Sequence, residues 1–201
     1  MSPRRRKVED ADVFAAMGRV MRRVGPADLT LAAIAAEAGV TASALVQRFG
    51  SKRELVLAHW RQTPAGGGER RAPTQSPLSA VRAAAALWAR LAVSPRAALR
   101  NLAYLHSDWS DPALRRQVLR HARATRARVA QLLTEAAAQG DLRADTDVQA
   151  LARMIEVTLA GSFLAWTLHR EGSAAARFRE DLDATLRPYL AHGTKRVKPR
   201  S

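Results

Sequence analysis

Three dipeptides set the frame of this chain: Ser76-Pro77, Ser94-Pro95 and Asp111-Pro112. Each places a capping side chain directly before a Pro. Pro fits the first position of a helix, where its missing N–H removes a donor that would be unpaired anyway, so each dipeptide marks a helix start. The residues between are mostly Ala, Leu, Arg and Glu, which favour helix. No segment alternates apolar and polar positions with β-branched residues, so no strand is expected. Ser51–Glu54 and Thr146–Gln149 fit the capping box, and Gly39, Gly140 and Gly172 stand where helices should end. The spacing predicts an all-α chain of about nine helices, near 8–24, 31–38, 42–49, 52–61, 77–92, 95–107, 112–139, 146–171 and 174–191. Residues 62–76, with Gly66, Gly67 and Gly68 between two prolines, read as a flexible connector.

Composition narrows the function. The chain carries 33 Lys and Arg against 18 Asp and Glu, a net charge of +15, which suits a polyanionic partner such as nucleic acid. A membrane surface or an acidic protein would also fit. The absence of Cys removes disulfides, zinc fingers, thiol nucleophiles and iron–sulfur clusters. Val157–Leu168 is the longest apolar stretch of low charge, well short of the roughly 20 residues a bilayer span needs. The expectation is a cytoplasmic protein with no membrane partner. Eight of the basic residues lie in tails, Arg4, Arg5, Arg6 and Lys7 at one end and Lys195, Arg196, Lys198 and Arg200 at the other. Such tails are either solubilising ends or arms that add phosphate contacts.

The first sixty residues form a unit of their own. Phe14, Met17, Met21 and Val24 make one buried face of the first helix. Thr30 and Thr41 can each cap a short helix, and Gly39 between them supplies the positive φ that ends the first. Leu31, Ile34, Val40, Leu45 and Phe49 can close a small core. Two short helices across a Gly turn are the helix-turn-helix geometry, although an ordinary helical hairpin has the same spacing. Residues 8–61 hold seven basic and six acidic side chains, so any DNA contact depends on placed charges.

The run from Thr30 to Leu55 closely resembles the DNA-binding head of the tetracycline-repressor-like family of bacterial regulators. The resemblance rests on Thr30, Ile34-Ala35, Ala38-Gly39-Val40-Thr41, Leu45, Phe49, Ser51-Lys52 and Leu55. It implies a three-helix head over 8–61 and a helical effector-binding and dimerisation domain over 62–192, with 1–7 and 193–201 as basic tails. Val46 departs from the family's usual Tyr, which contacts a phosphate; Arg48 is then expected to supply that anchor. The resemblance gives Lys52 a phosphate-gripping role. Thr30, Thr41 and the helix amides suit phosphate oxygens. Ala42, Ser43, Ala44 and Gln47 are expected outward on the second helix, with Gln47 able to bond adenine at two atoms.

In the rest of the chain, the helix near 146–171 is apolar on two sides. Val148, Ala152, Ile155, Leu159 and Trp166 mark one stripe, and Leu151, Met154, Gly161, Leu164 and Leu168 the other. The resemblance implies that the last two long helices form a homodimer interface, expected through Ile155, Leu159, Ser162, Trp166, Phe178, Leu182 and Leu186. It also implies a small-molecule cavity, for which Trp60, Trp88, Tyr104 and Trp109 are candidate walls for an apolar or aromatic effector. Arg115, Arg116, Arg120, Arg123, Arg126 and Arg128 stud the helix after Pro112, most simply as a solvated face.

The five His form no metal-ligand spacing, and no nucleophile elbow, P-loop or dinucleotide fingerprint is present. No cofactor, metal or catalytic residue is expected. The resulting expectation is a ligand-responsive transcriptional regulator that holds double-stranded operator DNA as a homodimer. A sequence-independent nucleoid-type protein and an all-α enzyme are the competing classes.

Overall fold

The structure, a computed structural model, describes residues 8–62, 75–89, 92 and 94–191. The side chains of 87, 88 and 103–109 lie outside that description, as do both basic tails and most of the connector. Among the described residues there are nine α-helices and no strand: α1 (Asp10–Val24), α2 (Leu31–Ala38), α3 (Ala42–Phe49), α4 (Lys52–Gln62), α5 (Pro77–Ala89), α6 (Pro95–Ser110), α7 (Pro112–Ala138), α8 (Val148–His169) and α9 (Ala174–Leu186).

The capping chemistry read from the sequence sets most of these boundaries. Ser76 Oγ accepts from Ser79 N–H, Ser94 Oγ from Ala97 N–H, and Asp111 Oδ1 from Ala113 and Leu114 N–H. Several boundaries differ from expectation, α1 starting at Asp10 rather than 8 and α6 running to Ser110 rather than 107 among them, and two of the differences have a plain cause. α8 starts at Val148 because Asp147, not Thr146, is its cap: the Asp147 carboxylate accepts from Gln149 and Ala150, each at 3.0 Å. A carboxylate at the positive end of a helix dipole is favoured over a hydroxyl. α9 stops at Leu186 because Pro188 cannot continue the α ladder, and a 3₁₀ turn over Arg187–Tyr189 follows.

Two apolar cores result. One lies under the head and gathers Val13, Met17, Val20, Ile34, Leu45, Leu55 and Leu57. The other fills the body with residues of α5, α7, α8 and α9, among them Leu133, Leu151, Ile155, Phe178 and Leu186. Polar ties join the body helices as well: Arg82 to Asp183 at 2.8 Å and Ser162 Oγ to Asp181 at 2.7 Å.

Three contacts fix the head on the body. Leu114, on the first turn of α7, is buried in the head's own core. Beside it, Arg53 of α4 makes a two-point bond to Asp111, at 2.5 and 3.0 Å. The guanidinium and the capping N–H groups hold the Asp111 carboxyl down to about 2. Further along, the Trp60 ring stands edge-on to His121 with centroids 4.5 Å apart, and Trp60 O accepts from Arg120 Nη2 at 2.5 Å. The third contact comes from α6. The buried Asn101 accepts Ala27 N–H at 3.3 Å through Oδ1, and Arg100 pairs with Asp28 at 2.5 Å. Gly25 lies against Asn101 with φ +80°, and a Cβ there would sit 2.7 Å from the amide oxygen, so only Gly fits.

The stripe expected at a dimer interface turns inward. Ile155, Leu159, Ser162, Trp166, Phe178, Leu182 and Leu186 are all buried in this chain's own core. Leu159→Arg or Trp166→Asp therefore strands a charge inside the body rather than freeing a monomer. Leu159→Arg is expected to lower stability by about 3–5 kcal/mol, read from urea unfolding. A folded, stable monomer would contradict the burial.

The joint also carries a pH dependence. Burial first, then the charge of His121, holds the His59 imidazole below its ordinary range. Burial lowers His121 too, as does Arg120, against a raising bond to Trp60 O. Burial thus disfavours the charged form of both groups in the fold, while unfolded imidazoles take up protons near 6.5. Stability is fully present above that pH and falls as pH drops below it. The urea midpoint should fall between pH 7.5 and 5.5, and fall less in His59→Gln/His121→Gln.

Candidate nucleic-acid interface

The two short helices of the head are built to present one face. Thr30 Oγ1 accepts Ala33 N–H and Thr41 Oγ1 accepts Ala44 N–H, each at 3.1 Å, which caps α2 and α3. Each hydroxyl keeps its proton to donate outward. Gly39 takes the left-handed conformation, φ 71° and ψ 29°, and Val40 N–H reaches back to Ala35 O at 3.0 Å. That closes α2 and turns the chain into α3. Leu45 pins α3 to the core at 1% exposure, and its neighbours Ser43, Ala44, Val46 and Gln47 are exposed, with Ala42 half-buried. Ser51 Oγ then caps α4 through Glu54 N–H at 3.2 Å, leaving half-buried Lys52 on its first turn. Glu54 turns to Arg53 instead of reaching back to Ser51, so only one half of the expected capping box forms.

Arg48, expected to anchor a phosphate, is engaged inside the head. Its Nη2 pairs with Asp10 at 2.5 Å, its Nη1 donates to Val8 O at 2.6 Å, and its Cζ lies 5.6 Å from the centre of the Phe49 ring. The side chain reaches back across the head and ties α3 to the start of α1. Val46 in turn is 47% exposed on the outward face, where it offers an apolar contact and no hydrogen bond. Glu37 of α2 holds two more cations of the head, Arg19 at 2.7 Å and Arg23 at 3.2 Å. These bonds hold its carboxyl below the usual range, Arg19 first.

The candidate effector walls divide. Trp60 is at the head–body joint, against His121. Trp88, Tyr104 and Trp109 lie on α5 and α6, and their side chains are outside the described residues. The two clefts described, of about 530 and 270 Å³, are both on the head, one beside Phe14, Arg22 and His59 and one beside Val8, Arg19 and Glu37. Among the described residues no group of His, Asp and Glu could hold a metal ion.

The second apolar stripe of α8 faces out except at Leu151, which is fully buried in the body core, and Val157 joins it. Met154, Val157, Leu164 and Leu168 are 42–66% exposed, with Gly161 exposed between them. Their spacing of three and four residues makes a narrow seam of the kind that packs against another helix. By length and a mean hydropathy of 1.3 over 18 residues, α8 is also apolar enough to cross a bilayer. That exceeds what its longest charge-free run suggested. Arg153 and Glu156 interrupt it, however, and its inner side is core.

Neither Arg53–Asp111 nor Asn101–Gly25 was visible beforehand, because each joins residues more than fifty apart. The Asp111-Pro112 signal reported only a cap.

Residues 15–59 match the family model described as bacterial regulatory proteins, tetR family, and residues 77–182 match that of a tetracyclin repressor-like C-terminal domain. No curated protein matches the sequence. Among solved structures, the chain is similar to SmeT, the repressor of the Stenotrophomonas maltophilia multidrug efflux pump SmeDEF. Identity is 20% over 97% of this chain and 96% of that one, with a TM-score of 0.56. SmeT is also known in complex with triclosan, at a TM-score of 0.58. A putative TetR-family regulator from Rhodococcus sp. shares 18% identity over 88% of this chain and 98% of its own, with a TM-score of 0.58. Thermus thermophilus FadR, in complex with lauroyl-CoA, shares 17% over 96% of this chain and 100% of its own, at 0.50.

The two cations nearest α3 should separate by experiment. Lys52→Ala is expected to weaken binding to all duplexes and make the log–log salt slope shallower by about one unit. Arg48→Ala should leave that slope unchanged but lower the unfolding midpoint, because Arg48 ties α3 to α1. A shallower slope for Arg48→Ala would return it to the phosphate.

Proposed function

The chain belongs to the tetR family of bacterial regulatory proteins, and we propose that it is a cytoplasmic, ligand-responsive repressor that holds a pseudo-palindromic operator as a homodimer. The observation that carries the DNA reading is the face of α3. It is a capped eight-residue helix, pinned by Leu45 and exposed at Ser43, Ala44, Val46 and Gln47. A helix so held enters the major groove by its N-terminal half. Gln47 reads adenine through N6 and N7, and Ala44 and Val46 lie against thymine methyls. Thr30, Thr41, Lys52 and the amides at the start of α3 take phosphate oxygens.

The second copy of the chain covers the outer seam of α8. Lipid is the poorer occupant, because charged Arg153 and Glu156 lie within the same helix and a charge at bilayer depth is costly. The small residues Ala160 and Gly161 let two such helices approach closely. Two heads on one dimer then meet half-sites about 34–36 Å apart.

The effector is read as an apolar or aromatic small molecule held in the body between α5 and α6, which carry Trp88, Tyr104 and Trp109. The complexes of SmeT with triclosan and of FadR with lauroyl-CoA support that class of ligand. The ligand acts only through differential affinity, so it weakens DNA binding by the factor by which DNA weakens ligand binding, typically about 1–3 kcal/mol. The chain works as a binding protein, with no residue assigned to catalysis.

The test begins with selection of duplexes from random DNA, which should return a two-fold symmetric motif. Gln47→Ala should relax the preference at one position of each half-site, by about 1–3 kcal/mol. Leu164→Arg buries an unpaired charge at the proposed seam, at a cost of about 3–5 kcal/mol. It should sediment as a folded monomer that no longer retains the motif. Trp88→Ala should keep operator binding and blunt release by a ligand found through tryptophan fluorescence. Selection that returns no motif would point to the nucleoid-type alternative.

A further inference from the structure

The long helix α7 carries six Arg and a single acidic residue, Glu135 near its far end. Arg126 is neutralised by Glu156 of α8 at 2.7 Å. Arg128 turns to Gln131, and Arg120 donates to Trp60 O. Among the described residues, Arg115, Arg116 and Arg123 are exposed and meet no carboxylate. Arg116, Arg120 and Arg123 recur at i, i+4 and i+7, so they share one face and repel one another along it. An anion laid on that face would relieve the repulsion.

The position of the face follows from the joint. Arg53, one residue after Lys52, bonds Asp111 at the start of α7, and Trp60 meets Arg120 and His121 further along. The two helices therefore run side by side in the same direction, and the start of α7 is level with the start of α4. At 1.5 Å per residue, Arg115 and Arg116 lie only about 6–8 Å along the axis from Asp111. They lie on the body near the level of the first turn of α4, the turn that carries Lys52. The carboxylates nearest that start, Asp111 and Glu54, are both held by Arg53.

We propose that Arg115 and Arg116, backed by Arg123, form a second phosphate-binding surface that takes up the backbone of the DNA flanking each half-site. This rests on the operator-binding reading above. The occupant is duplex DNA rather than an acidic protein because the start of α7 is tied level with the start of α4, next to the head's DNA face, and the patch consists of guanidinium groups, which suit phosphate pairs. Such a surface is blind to sequence: it adds affinity and salt dependence without changing the motif.

The experiment compares two duplexes, one ending at the outermost bases that selection fixes and one extended by ten base pairs on each side. Wild type should bind the extended duplex more tightly and with a steeper salt slope. Arg115→Gln/Arg116→Gln should make the slope on the extended duplex shallower by about two units per protomer, leave the short duplex unaffected and return the same motif. Arg115→Lys/Arg116→Lys should restore the slope, which separates charge from helix stability. Equal slopes for wild type and the Gln variant on the extended duplex would overturn the proposal while operator binding stands. So would an equal loss on both duplexes, which would place the arginines at the half-site itself. A wild type that selects no motif would remove the operator reading and this surface together.

Discussion

The Asp111 carboxylate is the point on which the arrangement of this chain turns. It accepts two N–H groups at the start of α7 and, at the same time, the guanidinium of Arg53 from α4. The first role fixes where the longest helix begins. The second fixes that beginning to the helix that follows the recognition segment. With Leu114 one turn on and buried under the head, the body's longest helix is rooted in the head's core. Neither domain can reorient on the other without breaking a charge-assisted pair and exposing an apolar side chain.

What the sequence disclosed was local, and what it hid was distant. Caps and terminators act within four residues, so α2, α3 and the starts of α5, α6 and α7 were legible as they stand. Where two local signals competed, at Thr146 and Asp147, the carboxylate won because it interacts with the helix dipole as a charge. The two stripes of α8 were equally legible, but periodicity carries no sign. Leu159 and Trp166 on one and Leu164 and Leu168 on the other are equally apolar, and only the packing of α5, α7 and α9 decides which is inside. Arg48 shows the same limit in a polar residue. Its place two residues after Val46 suggested a phosphate anchor, whereas its partners Val8 and Asp10 lie about forty residues earlier.

The charge of the head is organised for selectivity rather than attraction. Arg19 and Arg23 are held by Glu37, Arg48 by Asp10 and Arg53 by Asp111. Most of the head's cations thus serve its internal architecture. What the caps aim at a polyanion is a small set of hydroxyls and amides, whose directions they fix. Contacts of that kind reward correct register more than mere proximity. The bulk of the chain's positive charge lies elsewhere in the sequence.

The contact between Gly25 and Asn101 has a mechanical meaning. The amide of Asn101 fills the space that a side chain at residue 25 would need, and holds the following turn through Ala27. Two surfaces meshed so closely have no slack between them. A side chain added at residue 25 would have to displace Asn101 and disturb its bond to Ala27 in the turn between α1 and α2. The body and head mesh at this tooth, so a change of size at either residue has to be met by the other.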